Sequence, residues 1–213
     1  MKKIYSLAFA AALLAVAAAT AHADDWTTNL HPYVGADYQF THLKYNNDYG
    51  VGSGLALDGN TILERGLNGG NIHVGVRPAQ YWGAELGYFD TTNESKNIAA
   101  GTTVGPGTVA LVPLTGKVQM HGATLDAMGY LPIVTNRVDL IATTGLAWDH
   151  LKVGFGGLGS VSKSEIDWRI GGGAQVNLLP NLNLRGLVRY QTADFKNIAD
   201  NAWVYTAGMN YSF

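Results

Sequence analysis

Cysteine is absent from the 213 residues, so neither a disulfide framework nor a thiolate metal site is available. Charge is scarce: Asp, Glu, Lys and Arg make up 14% of the chain, against roughly 25% in an average soluble domain. The 14 basic residues are outnumbered by 16 acidic ones, which leaves no cationic surface for phosphates and excludes a nucleic-acid binder. Disorder is excluded too, because 47% of the chain is hydrophobic and disordered chains are poor in apolar residues. Beyond residue 23 no apolar run reaches the roughly 18 residues of a helical membrane span. Glycine, by contrast, is in excess, with 27 residues where an average share of about 7% would give about half as many.

The first 23 residues read as a secretory signal peptide. Lys2 and Lys3 form the positive start, residues 4–19 are almost continuously apolar, and Ala21-His22-Ala23 is a small-x-small cleavage site. A membrane anchor is the alternative, but the apolar core is short and alanine-rich. Cleavage after Ala23 leaves an exported chain from Asp24 to Phe213 and, with both lysines gone, moves the formal charge from −2 to −4.

The mature chain repeats with a period of two, which is strand periodicity. Residues 33–41 set Val34, Ala36, Tyr38 and Phe40 against Gly35, Asp37, Gln39 and Thr41. Residues 71–77, 82–89, 138–149, 165–178, 182–191 and 203–213 alternate in the same way. A further strand over 118–131 changes phase: Val118 and Met120 are even-numbered, whereas Leu125, Ala127 and Leu131 are odd. A bulge near Gly122 would reconcile its halves. Eight strands of about ten residues are therefore expected.

An antiparallel sandwich in water also alternates, and three observations decide against it. Short connections near 78–80, 132–136 and 179–181 alternate with long ones near 43–69, 90–117, 150–164 and 192–202. Short inner turns and long outer loops on an even strand number are the pattern of an outer-membrane barrel. Aromatic residues of the apolar phase collect at strand ends: Phe40, Tyr88, Trp148, Trp168, Tyr190 and Trp203 towards the long loops, and Trp82, Tyr211 and Phe213 towards the short turns. Amphipathic rings favour headgroup level, so these form two expected girdles. Finally, the apolar phase of the clean strands carries no Asp, Glu, Lys or Arg. The expected fold is all-β, an eight-stranded antiparallel transmembrane β-barrel over residues 24–213, in a bacterial outer membrane with both termini periplasmic.

Particular segments resemble small outer-membrane barrels of the OmpA transmembrane-domain and opacity-protein type. His31-Pro-Tyr-Val-Gly-Ala-Asp-Tyr38 is similar to the opening Tyr-x-Gly strand of that family. Trp82-Gly-Ala-Glu-Leu-Gly-Tyr-Phe-Asp90 is similar to its Glu-Leu-Gly-Tyr strand, and Leu187-Val-Arg-Tyr-Gln191 to its Arg-Tyr strand. The Tyr211-Ser212-Phe213 terminus resembles the assembly signal read by the barrel-assembly machinery, which makes that machinery an implied partner beside outer-membrane lipids. No peptidoglycan-binding domain follows Phe213, so the anchoring role of two-domain relatives is not expected.

An eight-stranded barrel has an interior only wide enough for side chains. The polar phase supplies Asp37, His73, Arg77, Glu85, Asp139, Asp167, Arg169, Arg185 and Arg189, together with Gln39, Gln175 and Asp126. Charges of both signs in so narrow a space are expected to pair, since a lone buried charge is costly. Glycines on this phase, among them Gly75, Gly171, Gly173 and Gly208, are expected to leave room for long neighbours. A turn centred near Gln80 sets Glu85 opposite Gly75, with Arg77 and His73 on the diagonals. A symmetric turn at Pro180 sets Arg185 opposite Gln175 and Arg189 opposite Gly171. The family resemblance implies a lumenal gate pair at Glu85, with Arg185 and Arg189 as candidate partners. A static polar plug is the preferred reading; a gated path for small solutes is the alternative.

Lipid hydrolysis is the least favoured reading, because none of His31, His42, His73, His121 and His150 has a serine two residues on. A dispersed triad remains open, since geometry and not order defines one. The scattered histidines offer no metal cluster, and no cofactor is expected. Gly154-Phe-Gly-Gly-Leu-Gly159 matches a dinucleotide fingerprint, but a strand rather than a helix is expected next, so it reads as a flexible outer loop. Residues 102–116 are apolar for an exposed segment and read as a hairpin above the membrane, or else as a surface that contacts a host or other partner.

Overall fold

The computed structural model describes residues 30–45, 49–51, 55–134, 137–156, 159–192 and 199–213. The signal-peptide expectation lies outside them. Eight long strands close into a ring: β1 (His31–Tyr45), β4 (Gly66–Ala79), β5 (Trp82–Thr91), β9 (Leu114–Val134), β10 (Val138–Phe155), β11 (Gly159–Leu179), β12 (Leu182–Thr192) and β13 (Ala199–Ser212). Each pairs antiparallel with its sequence neighbour in this series, and β13 returns to β1 with Val34 opposite Tyr211 and His42 opposite Trp203. All eight strands expected from the alternation are present.

The short connections are tight. β4 gives way to β5 after Ala79, and β11 to β12 after Leu179. Prolines at 78 and 180 suit these sites, where the chain leaves the ladder and a missing N–H costs no ladder bond. Both ends of the barrel chain come to this same rim, where the Phe213 N–H donates to the Pro32 carbonyl at 3.0 Å.

The other end departs from expectation. The segment 150–164 is not a loop: β10 and β11 stay paired to Phe155 opposite Gly159. Gly154 and Gly159 thus belong to the tip of a long hairpin rather than to a flexible loop, with Gly159 at φ +99°. β6 (Glu94–Ile98) continues the line of β5 and pairs with the first residues of β9, Glu94 opposite Val118. Two small hairpins complete this end, β2 (Tyr49–Val51) with β3 (Leu55–Leu57), and β7 (Thr103–Gly105) with β8 (Thr108–Val109). The β7–β8 turn carries Pro106 followed by Gly107 at φ +67°, the pairing a type II turn requires.

No bulge occurs near Gly122. β9 stays in continuous register with β5 from Trp82 to Asp90 and with β10 from Asp139 to Phe155. Its even residues face inward along the whole strand: Val118, Met120, Gly122, Thr124, Asp126, Met128 and Tyr130. What changes is the chemistry of the two faces. Towards the turns the exterior is apolar, with Leu125 and Leu131 exposed. Towards the loops the exterior is Lys117, Gln119 and His121, and the apolar residues point inward.

The same inversion recurs on β1 and β10. Outward Val34, Ala36, Tyr38 and Phe40 give way to His42 and Lys44, while inward Asp37, Gln39 and Thr41 give way to Leu43 and Tyr45. On β10, outward Leu140, Leu146 and Trp148 give way to His150 and Lys152, and inward Asp149 is followed by Leu151 and Val153. Trp148 is 63% exposed and Ile166 72%. Large side chains left open in a continuous belt are unstable against water and stable against hydrocarbon. Above the belt the barrel is an ordinary water-facing β-protein with an apolar inside.

Candidate functional site: the barrel interior

Within the belt the lumen is filled by ion pairs stacked in layers. At the turn-side mouth, Arg77 pairs with Asp139 at 3.0 Å, donates to the Gln80 carbonyl and lies 4.0 Å from the centre of the Tyr130 ring. Its expected place beside Glu85 is not observed, because the register slips between Val76 and Ala79 and turns Arg77 towards β10.

Arg185 organises the middle layer. Its guanidinium grips Asp37 with two hydrogen bonds, at 3.2 and 2.7 Å, and donates to both oxygens of Glu85. Neither carboxylate is left open on its far side. The Tyr33 hydroxyl donates to Glu85 at 3.1 Å, and the Asn71 amide donates to Asp37 at 3.3 Å. His73 lies 3.0 Å from Arg185 through Nδ1 and 2.7 Å from Asn210 through Nε2. A fork reaching two carboxylates is chemistry available to Arg and not to Lys. Of the two candidate partners for Glu85, Arg185 is hydrogen-bonded and Arg189 stands at 3.8 Å.

Arg189 bridges to the next layer, 3.7 Å from Asp126, which is held bidentate by Arg169. Asp149 accepts from Gln191 beside buried Asp167. Glycines make the necessary space: a Cβ at Gly75 would strike the Tyr33 ring, at Gly171 the Val188 carbonyl and then Arg189, and at Gly208 the Ala36 carbonyl and then the Asp37 carboxylate. At Gly173 the nearest atoms are all backbone of Gly186 and Leu187, so it makes room for no long side chain. The register sets Glu85 opposite Gly75, Arg185 opposite Gln175 and Arg189 opposite Gly171, in line with the turn geometry read from the sequence.

A second closure sits above the ion pairs. Leu43, Tyr45, Leu67, Phe89, Val118, Met120, Leu151 and Val153 from the strands meet Ile62, Leu63, Ile98, Val104 and Ala110 from the outer segments in one buried cluster. A single helical turn, Gly59–Ile62, delivers Ile62; Asp58 caps it by accepting from the Asn60 N–H at 3.0 Å and the Thr61 hydroxyl at 2.7 Å. The β7–β8 hairpin delivers Val104 and Ala110. Residues 102–116 thus form the expected hairpin in part, while Leu114 to Gly116 belong to β9. Leu111 is 91% exposed and Val112 61%, with Val109 exposed beside them, so the apolar surface of this segment centres on that stretch.

The aromatic residues occupy both ends of the exterior belt. Tyr190 meets Trp203 with ring centres 5.4 Å apart, and Phe40 meets Tyr205 at 6.2 Å. Trp148, Trp168 and the partly exposed Tyr88 share the loop-side end. Trp82 is exposed at the turn side, where Tyr211 meets Phe213 at 5.4 Å.

Sequence reasoning missed Tyr33, Tyr130 and Asn210 as members of the interior network; the polar-phase position of Tyr33 and Asn210 was the available signal. It also missed that strand pairing brings His150 within 2.7 Å of Ser164, on the exterior. His150 makes no ion pair with a described carboxylate, so no triad is assembled there among the described residues. No group of three or more metal-ligating residues occurs among the described residues.

Comparison with known proteins agrees with this architecture. A family model described as an outer membrane protein beta-barrel domain matches residues 8–213. Neisserial surface protein A is 15% identical, with 87% of this chain and 98% of that chain covered and a TM-score of 0.53. OprG of Pseudomonas aeruginosa is 11% identical, covering 86% and 96%, with a TM-score of 0.51. Ail of Yersinia pestis, solved with the heparin analogue sucrose octasulfate, is 17% identical, covering 86% and 97%, with a TM-score of 0.49. At 15% and 11% identity the likeness to Neisserial surface protein A and OprG is one of fold. No curated protein matches by sequence.

Proposed function

This chain belongs to the outer membrane protein β-barrel domain family, and on that premise we propose that it is a non-enzymatic outer-membrane barrel acting through its structure and its outer surface. One observation carries the reading: the interior is closed twice, by buried ion pairs within the membrane belt and by an apolar core across the loop-side mouth. A solute path would need both to open, which disfavours the gated-channel alternative. Contact with a partner would then fall to the outer segments, where Leu111 and Val112 are the most exposed apolar residues.

Planar-bilayer recording of the refolded protein tests this reading. No channel events are expected from the wild type or from Glu85→Ala, because the apolar core remains in the second case. Regular unit events from the wild type would refute a closed barrel and restore the channel reading.

A further inference from the structure

Just above the loop-side girdle, two adjoining cavities of about 380 and 500 Å³ open sideways on the exterior, sharing His42 and Arg65. The first is lined by Lys44, Arg65, His42, Asn60 and Asn201, with Trp203 at its edge, and contains no carboxylate. Lys44 and His42 lie there because they follow Phe40 on the outward face of β1, where the faces exchange character. The pairing of β1 with β13 sets His42 beside Trp203 and Lys44 beside Asn201.

Neither Lys44 nor Arg65 forms an ion pair with a described carboxylate. The second cavity contains Glu64 and Glu94, and hydrogen bonds from Thr92 at 2.6 Å and Asn68 at 3.2 Å occupy Glu94. Those bonds hold its carboxyl below the ordinary value. Lys96 beside it donates to the Asn60 carbonyl at 3.3 Å.

Position selects the ligand. Phe40, Tyr190, Trp203 and Tyr205 form an aromatic patch immediately below, at the height where rings meet lipid headgroups. An occupant therefore needs an anionic, hydrogen-bonding part above and an apolar part below. Guanidinium and ammonium groups backed by amide donors suit phosphate oxygens.

We propose that this groove binds the phosphate of an outer-leaflet lipid headgroup, with Arg65 and Lys44 on the phosphate oxygens, Asn201 on a neighbouring polar atom, and Trp203 against the apolar part. The proposal rests on the reading that the belt lies in the outer membrane.

The full chain, refolded into phosphatidylcholine nanodiscs with increasing lipid A, a diphosphorylated glycolipid, is examined by native mass spectrometry. Wild-type protein is expected to retain lipid A, and Lys44→Gln with Arg65→Gln to lose at least tenfold in retention. Lys152→Gln, four strands away around the ring, should retain it like the wild type. A phosphate-free digalactosyl lipid should not be retained. Equal retention by the folded double variant, or equal retention of the digalactosyl lipid, overturns the proposal. Inorganic phosphate should not displace bound lipid A at millimolar concentration; displacement would assign the groove to free phosphate and overturn the lipid source. Heat-modifiable mobility on a gel reports folding separately. Failure to insert into the nanodiscs overturns the membrane reading and this proposal with it.

Discussion

Replacing Arg185 by methionine removes the guanidinium at the centre of the lumenal network while keeping an unbranched, shorter side chain in its place. Arg185 is 2% exposed and donates to two carboxylates, Asp37 and Glu85, each itself almost fully buried. Breaking a buried pair by removing one partner costs about 3–5 kcal/mol, because the surviving charge is left uncompensated. Here two carboxylates survive, but Glu85 keeps the Tyr33 hydroxyl and the more distant Arg189, and Asp37 keeps Asn71. A net loss of about 4 kcal/mol is therefore expected, close to a thousandfold in the folding equilibrium. The assay is urea unfolding in liposomes, followed by tryptophan fluorescence, with gel mobility as the check on folding. Adding Asp37→Asn and Glu85→Gln to Arg185→Met should recover most of the loss, since neutral groups need no counter-charge. A cost below about 1 kcal/mol for Arg185→Met, or a triple variant weaker than the single one, would refute the assignment of Arg185 as the organiser.

Two other outcomes follow from the placement of the faces. Val118→Lys places an ammonium in the apolar core and is expected to cost several kcal/mol, whereas Gln119→Lys one residue on should stay within about 0.5 kcal/mol in the same unfolding assay. Leu111→Ser with Val112→Ser should leave stability within about 0.5 kcal/mol and abolish adhesion of proteoliposomes to a hydrocarbon-coated sensor. Undiminished adhesion would remove the apolar pair as a contact surface.

The strands were legible because alternation survives any environment, and so were the Glu85–Gly75 and Arg189–Gly171 registers, because tight turns fix them. The inversion of faces was not. Period two marks two faces without saying which is wet, and Val118, Met120, Leu151 and Val153 have the same chemistry as the lipid-facing residues below them. The apparent phase change in β9 therefore reads as a bulge in the sequence, although a straight strand leaving the membrane explains it. Residues 150–164 looked like a loop for a related reason: outside lipid a strand no longer needs an apolar exterior. The network partners lay beyond reach, because Arg185 and Glu85 stand 100 residues apart and meet only across the closed lumen.

The absence of cysteine permits a direct measurement of that inversion and of the closure above the lumen. Single cysteines replace Gln119, Met120, His121 and Thr124 on β9, and a membrane-impermeant maleimide is added from the loop side of folded protein in liposomes. Gln119→Cys and His121→Cys should label rapidly. Met120→Cys, in the apolar core, and Thr124→Cys, beneath it in the lumen, should remain unlabelled until the protein is unfolded. Labelling at residue 124 as fast as at 119 would contradict a barrel sealed at its outer mouth.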